Sequence, residues 1–366
     1  MDVNIRIAGE AGQGVQTTGT LLTGALAASG HFVYSTQSYM SRIRGGVNWY
    51  DIRVSDGELH SARLDADILV AFTAQSLAAT RSHLAKGGEL LCSKEACGSG
   101  EGLDFAAVSR EVAGSTRMAN TVAAGAVFGL LGLDAGKLGS YLHSMFEGKD
   151  AKIADQNAEC ARRGAALVAD RAGSVPSPAA NGAPAHVISG SECCGLGAAV
   201  AGVKVVSSYP MTPSTGVFQY LAQHAEEFGI TVEQAEDEIA AINLVCGAVY
   251  AGAPAMTTTS GGGFALMAEG LSNAGICELP AFVLLSQRPG PATGLPTRTG
   301  QEDLQFAIHA GHGEFPRLVY APGTLQECYE LIQHALERAH RFQLPTIFLI
   351  DQYIADLVPN CIPLLR

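Results

Sequence analysis

Apolar and polar positions change period repeatedly along this chain, and each change marks an element. Asn4-Ile-Arg-Ile-Ala8 alternates as a strand does, and Gln16–Ser29 carries a helical pattern. Val47–Val54, Asp67–Phe72 and Glu89–Cys92 read as further strands with helical stretches between them. Met118–Ala126 opens a helix of small residues suited to close packing, and Lys137–Phe146 and Lys149–Arg171 are helical. Residues 172–185 have no hydrophobic period and are rich in Pro, Ala, Gly and Ser, which predicts a linker. The pattern then resumes with strands at His186–Ser189, Val203–Ser207, Thr231–Gln234, Ala255–Thr259, Pro280–Ser286, Arg317–Tyr320 and Thr346–Ile350. Helices fall between them: from Pro213 or Ser214 to Phe228, from a cap at Asp237 to Tyr250, Phe264–Ala274 and Thr324–Arg341. Such alternation predicts an α/β protein, its second part a parallel sheet covered on both faces. The expected domains are 1–171 and 186–366.

Composition narrows the class. The chain has 366 residues, 47% hydrophobic and 16% charged, which favours a well-buried globular protein. A formal net charge of −12 argues against a nucleic-acid surface. Residues 1–6 lack the basic start and apolar core of a signal peptide, and apolar runs such as Val122–Leu133 are short and broken by glycine. A cytoplasmic protein with no membrane contact is expected. The nine cysteines are odd in number and include no Cys-x-x-Cys pair. A disulfide framework is not expected, nor a zinc or iron–sulfur site formed by this chain alone.

Candidate chemistry gathers where ligands bind in open α/β sheets, beyond the carboxyl ends of strands. Four polar or glycine-rich loops follow runs that are apolar or β-branched: 209–215, 236–243, 257–263 and 286–297. Glu236, Asp237 and Glu238 open a helix, where acid is ordinarily a cap and dipole effect. Glu238, however, precedes the apolar face of Ala241, Ile242 and Val245. A carboxylate there loses part of its hydration, which suits a group meant to share a proton with a bound heterocycle. Thr212 sits in a loop preshaped by Pro210 and Pro213, either facing a ligand or simply turning the chain. Arg288 follows a buried strand, placed for a substrate carboxylate or for a salt bridge between domains. Near the N-terminus, Gly9-Glu-Ala-Gly-Gln-Gly-Val15 stands between strand and helix. Its Gly-x-x-Gly-x-Gly spacing is not the dinucleotide order, leaving exposed backbone N–H groups for a phosphate or a plain tight turn.

The second half resembles the pyrimidine-binding domain of the thiamine-diphosphate-dependent 2-oxoacid:ferredoxin oxidoreductases. The motifs are Gly190-Ser-Glu192, Tyr209-Pro-Met-Thr-Pro-Ser214, Glu236-Asp-Glu-Ile-Ala-Ala-Ile-Asn243, Thr258-Thr-Ser-Gly-Gly-Gly263 and Gln287-Arg-Pro-Gly-Pro-Ala-Thr-Gly-Leu-Pro-Thr297. The first half is similar to the family's gamma domain through Gly12-Gln-Gly-Val15, Arg44-Gly-Gly46 and Arg53-Val-Ser-Asp56. Ser191 stands where the family usually has Asn, and Gly262 where it usually has Pro. A gamma domain ahead of a pyrimidine domain looks like an alpha subunit, most like that of 2-oxoglutarate:ferredoxin oxidoreductase. Such subunits usually continue for about another domain, whereas this sequence ends at Arg366.

The resemblance implies fused gamma and pyrimidine-binding α/β domains. It implies that Glu238 bonds the aminopyrimidine ring of thiamine diphosphate, that Tyr209 and Pro210 flank the cofactor, and that Thr212 and Arg288 contact the 2-oxoacid. Magnesium and an iron–sulfur cluster are expected on a separate beta subunit, with ferredoxin as electron acceptor and coenzyme A as cosubstrate. Gly12, Gly14, Arg42 and Arg44 are candidate contacts for the phosphates of coenzyme A. Arg298 is a candidate for the distal carboxylate of 2-oxoglutarate, the favoured substrate beside pyruvate and branched-chain oxoacids, or else a structural salt bridge. A different thiamine-diphosphate enzyme and a non-catalytic assembly or regulatory paralogue remain as alternative readings.

Overall fold

Asp2–Glu10 (β1), almost wholly buried, is an interior strand of the first sheet. The computed structural model describes residues 1–41, 45–98, 102–147 and 150–360. It divides into two compact units, one of Met1–Val187 that resumes at Val358, the other Ile188–Leu357.

In the first unit, Phe32–Ser38 (β2), Val47–Ser55 (β3), Ala66–Ala71 (β4) and Leu84–Cys92 (β5) join β1. β1, β4 and β5 run parallel, while β3 is antiparallel to both β1 and β2. Ile5, Ile7, Ile52, Ile68 and Val70 form a core with the helices Val15–Ala28, Ala119–Leu130 and Ala151–Ala166. The latter two helices touch backbone to backbone. A Cβ on Gly125 would lie 2.0 Å from the Ala161 carbonyl oxygen, and one on Gly164 would lie 2.0 Å from that of Val122. Small residues are therefore a requirement of this crossing.

The expected linker is not free chain. Gly173 and Val175 donate backbone hydrogen bonds to Gly129 and Leu130 (both 3.1 Å), and Gly182 and Ala185 donate to Gly30 and Ala27 (2.9 and 3.1 Å). Poor in large apolar side chains, this segment is held by these amides together with Val175, which is buried in the core of the first unit. A second difference is the disulfide between Cys92 and Cys97, which closes a short local loop rather than a framework.

The second unit contains Val205–Ser208 (β6), Thr231–Gln234 (β7), Ala255–Thr259 (β8), Phe282–Gln287 (β9), Leu318–Tyr320 (β10) and Thr346–Asp351 (β11). The order is β10-β11-β9-β8-β6-β7, and every pairing is parallel, as the alternating pattern predicts. Central strands such as β8, β9 and β11 are buried at every position. Past Leu357, Val358–Pro359 (β12) pairs antiparallel with β2 and completes the first sheet.

Two glycine-rich segments differ from expectation. His186–Ser189 is not a strand. Ser189 caps the helix Gly190–Val200 in a reciprocal box with Glu192, so Gly190-Ser-Glu192 is a helical first turn. Likewise Gly261-Gly-Gly263 opens the helix Gly261–Leu266 after Ser260. Among the described residues, no helix is long and apolar enough to cross a membrane, and no cluster of three His, Cys, Asp or Glu side chains is arranged for a metal ion.

Candidate active site

Because β9, β8, β6 and β7 are consecutive neighbours in a parallel sheet, the loops at their carboxyl ends lie side by side. Tyr209, Pro210 and Thr212 follow β6, Glu238 follows β7, Ser260–Gly263 follow β8 and Arg288 follows β9.

The helix Glu238–Tyr250 is capped by Asp237, whose carboxylate accepts from the Ala240 amide at 2.7 Å. Capping is thus done by Asp237, and Glu238 is free of it. Glu238 is only 3% exposed and its Oε1 has no hydrogen-bond partner. A buried carboxylate oxygen without a partner is costly in a finished structure and marks a place for a ligand group. Gly263 leaves room for it: a Cβ there would lie 2.6 Å from Glu238 Oε1 and 2.2 Å from Thr259 Oγ1.

Arg288 is 8% exposed. Its Nη1 donates to the Thr212 carbonyl oxygen at 2.6 Å, tying the β9 loop to the β6 loop, while Nε has no partner. Burial pushes the guanidinium below the ordinary arginine value, and the charges of Asp303 and Glu238 pull it back. The Ser214 hydroxyl donates to the Met211 carbonyl oxygen at 2.7 Å, tightening the loop that carries Thr212. Glu238, Thr212 and Arg288 therefore belong to one constellation. Tyr209 is 40% exposed at its edge, and Arg298 is half-buried in the loop after Arg288.

Gly12 and Gly14 lie in the first unit with φ of 89° and 73°, a conformation that favours glycine. Gly14 precedes the helix Val15–Ala28, and a Cβ on it would fall 1.8 Å from Asn120 Nδ2. Arg42 and Arg44 lie outside the described residues.

Sequence reasoning missed three groups. The hydroxyls of Ser260 and Ser286, and Oδ2 of Asp303, are buried without partners. Burial and the charge of Glu302 push the Asp303 carboxyl up, and Arg288 draws it down. No periodic signal marks Asp303, because a long loop separates it from the strand end it returns to.

The donor set fits the pyrimidine end of thiamine diphosphate: a buried, unpartnered carboxylate oxygen for a ring nitrogen, in the place that Gly263 leaves for the Glu238 side chain. Comparisons with known proteins agree. Residues 196–362 match the family described as pyruvate flavodoxin/ferredoxin oxidoreductase, thiamine diphosphate-binding. Residues 4–167 match the pyruvate ferredoxin/flavodoxin oxidoreductase family. The chain is 31% identical to 2-oxoacid:ferredoxin oxidoreductase 1, subunit alpha, of Aeropyrum pernix, aligning 98% of this chain with 66% of the relative. It is 41% identical to the 2-oxoglutarate synthase subunit KorA of Archaeoglobus fulgidus over 47% of this chain and 50% of the relative. The structure of 2-oxoglutarate:ferredoxin oxidoreductase from Magnetococcus marinus, with 2-oxoglutarate, coenzyme A and succinyl-CoA bound, superposes with a TM-score of 0.89 at 33% identity. That match covers 100% of this chain and 66% of the other. The chain thus spans about two thirds of the length of these whole-chain relatives.

Proposed function

Because this chain belongs to the 2-oxoacid:ferredoxin oxidoreductase family, we propose that it is an alpha subunit acting in oxidative decarboxylation of a 2-oxoacid to an acyl-coenzyme A, with ferredoxin reduced. The observation that carries this reading is the buried, unpartnered Oε1 of Glu238 beside a buried arginine.

Thiamine diphosphate, when bound, supplies a nucleophilic carbon and an electron sink for loss of carbon dioxide. The Glu238 carboxylate, its Oε1 buried and without a partner, is placed to exchange a proton with the pyrimidine ring. Tyr209 and Pro210 flank that ring. Arg288 pairs with the carboxylate beside the keto group, held in place by its bond to the Thr212 carbonyl, and the Thr212 side chain contacts the same substrate. The favoured substrate is 2-oxoglutarate, with Arg298 reading its distal carboxylate. Magnesium, the diphosphate ligands and an iron–sulfur cluster belong to a separate beta subunit. The backbone at Gly12 and Gly14, with Arg42 and Arg44, is assigned to the phosphates of coenzyme A.

Glu238→Gln tests the reading, since it keeps the shape and removes the proton-accepting carboxylate. In the complex reconstituted with its beta subunit, oxoacid oxidation by a viologen dye should fall on the order of a hundredfold to ten-thousandfold. The circular dichroism and melting of the chain should be unchanged. Near wild-type turnover would overturn the assignment.

A further inference from the structure

We propose that the outward faces of the helix Glu238–Tyr250 and of the adjoining helix Ala268–Ile276 form the docking surface for the beta subunit, which meets them with an apolar helical surface bordered by Lys and Arg side chains. The proposal rests on the reading of this chain as one subunit of a hetero-oligomer.

Both helices lie on one face of the second sheet. The connections from β7 to β8 and from β8 to β9 step across the sheet in the same direction, so right-handed crossovers bring both helices to the same side. There they share a core that buries Ile242 and Val245 of the first with Leu271 and Ala274 of the second. They also touch each other. A Cβ on Gly270 would lie 2.5 Å from Ile242 Cγ2, and the Cys246 thiol donates to the Gly270 carbonyl oxygen at 3.8 Å. Their outer faces are therefore neighbours. On the first helix Ile239, Asn243, Gly247 and Tyr250 follow the helical repeat along one stripe, with Leu244 at its flank and no charge among them. Asn243 satisfies its amide within the helix, donating to the Ile239 carbonyl oxygen at 2.8 Å. Tyr250 is 81% exposed, and Ile276 at the end of the second helix is 82% exposed. A single exposed apolar side chain needs no partner, but Ile239, Leu244, Tyr250 and Ile276 on adjoining helices mark a surface for another chain.

Gly247 supplies a separate reason. Glycine inside a helix lowers its stability relative to alanine, and a close neighbour that forbids a side chain accounts for one. Gly270 has such a neighbour in Ile242. For Gly247 none exists among the described residues: a Cβ there would meet nothing within 4 Å outside its own helix, and its φ is not left-handed. The close approach that Gly247 allows is made by a backbone from another chain.

Charge selects that chain. Residues 205–287 carry eight Asp and Glu and neither Lys nor Arg, and Glu236 and Glu269 are exposed beside the stripe. A second copy of this chain would set acid against acid, whereas a surface bordered by Lys and Arg is drawn to this rim. Docking here also bears on the chemistry. Glu238 opens the helix on which the partner seats, so one rigid element fixes both the carboxylate and the subunit that completes its site.

The experiment measures association of the full chain with purified beta subunit by sedimentation velocity, and the thermal midpoint of each variant alone. Tyr250→Asp should weaken association at least about thirtyfold, the loss typical of an aromatic anchor in an interface. Gly247→Ala should raise the midpoint of the isolated chain, as alanine favours a helix, yet weaken association, and Gly247→Leu should weaken it further. Val200→Asp, exposed on the helix Gly190–Val200, should change nothing. Added salt should weaken the wild-type complex. Wild-type association by Tyr250→Asp and Gly247→Leu overturns the proposal, and so does an equal loss in Val200→Asp. A chain that dimerises by itself, its dimer broken by Tyr250→Asp, gives the face to a second copy and overturns it too. Association indifferent to salt overturns the Lys and Arg border. The proposed function fails separately: a wild-type complex that assembles tightly but oxidises no 2-oxoacid removes that function and leaves the docking surface standing.

Discussion

Gly263 is confined by its neighbours more tightly than any backbone angle requires. A methyl group there would meet Thr259 Oγ1 and Glu238 Oε1 well inside contact distance, whereas at Gly262 the nearest atom is the Ala292 carbonyl oxygen at 3.7 Å. Gly263→Ala should therefore lower stability by about 1–3 kcal/mol through overpacking and displace Glu238, while Gly262→Ala should be close to neutral. Thermal melting of the two variants, with turnover of each in the complex, distinguishes them; equal losses would show that the space beside Glu238 is not what matters. At this scale the candidate site was partly legible. Glu238, Thr212 and Arg288 stand at strand ends, where residue type and position already suggest a ligand. The cap at Asp237, expected from the sequence, is borne out, which leaves Glu238 in the same acidic run without a capping role. Asp303, Ser260 and Ser286 were invisible: their importance lies in missing partners, a property of three-dimensional packing.

Among elements, those with strong periodicity were legible and those defined by pairing or capping were not. β9 and β11 were plain from their apolar runs, and β8 from its β-branched threonines. β2 was not read as a strand, since its second half, Ser35-Thr-Gln-Ser38, is polar and owes its extension to β3. The glycines at 190 and 261–263 suggested loops, yet Ser189 and Ser260 each begin a helix there. The segment after Arg171 makes the same point through His31. This buried ring bonds the Leu26 carbonyl oxygen at 3.2 Å, and its Nε2 meets the Ser177 hydroxyl at 3.3 Å. Burial, the largest effect, holds the imidazole below its ordinary value of 6.5. The folded protein then binds fewer protons than the unfolded chain as pH falls below that value, so stability is full above it and is lost on acidification. His340 in the second unit is shifted the same way by burial. Thermal midpoints should fall between pH 7 and pH 5, and His31→Gln should flatten the fall belonging to the first unit. An unchanged slope in that variant would mean that other groups govern the acid limb.

For the whole molecule, the proposed division of labour places half of the cofactor's ligands on another chain. The isolated chain should then bind thiamine diphosphate weakly or not at all by titration calorimetry, and gain affinity when the beta subunit is added. Micromolar or tighter binding by the chain alone would sink the shared-site reading. Sequence also suggested that everything after residue 185 forms a single second body. The fold departs from that at its far end, where β12 returns to β2. The Asn360 side chain donates to the His31 carbonyl oxygen at 2.9 Å and accepts from the Val33 amide.

That return has a consequence for how the protein is made. Synthesis is vectorial, and the first unit leaves the ribosome long before residue 358 does. Through that interval β2 has β3 on one side and an open row of backbone donors and acceptors on the other. Open edges of this kind recruit strands from neighbouring nascent chains. Polysome crowding and holding chaperones, more than the final stability of either unit, should therefore govern the yield of correctly assembled protein.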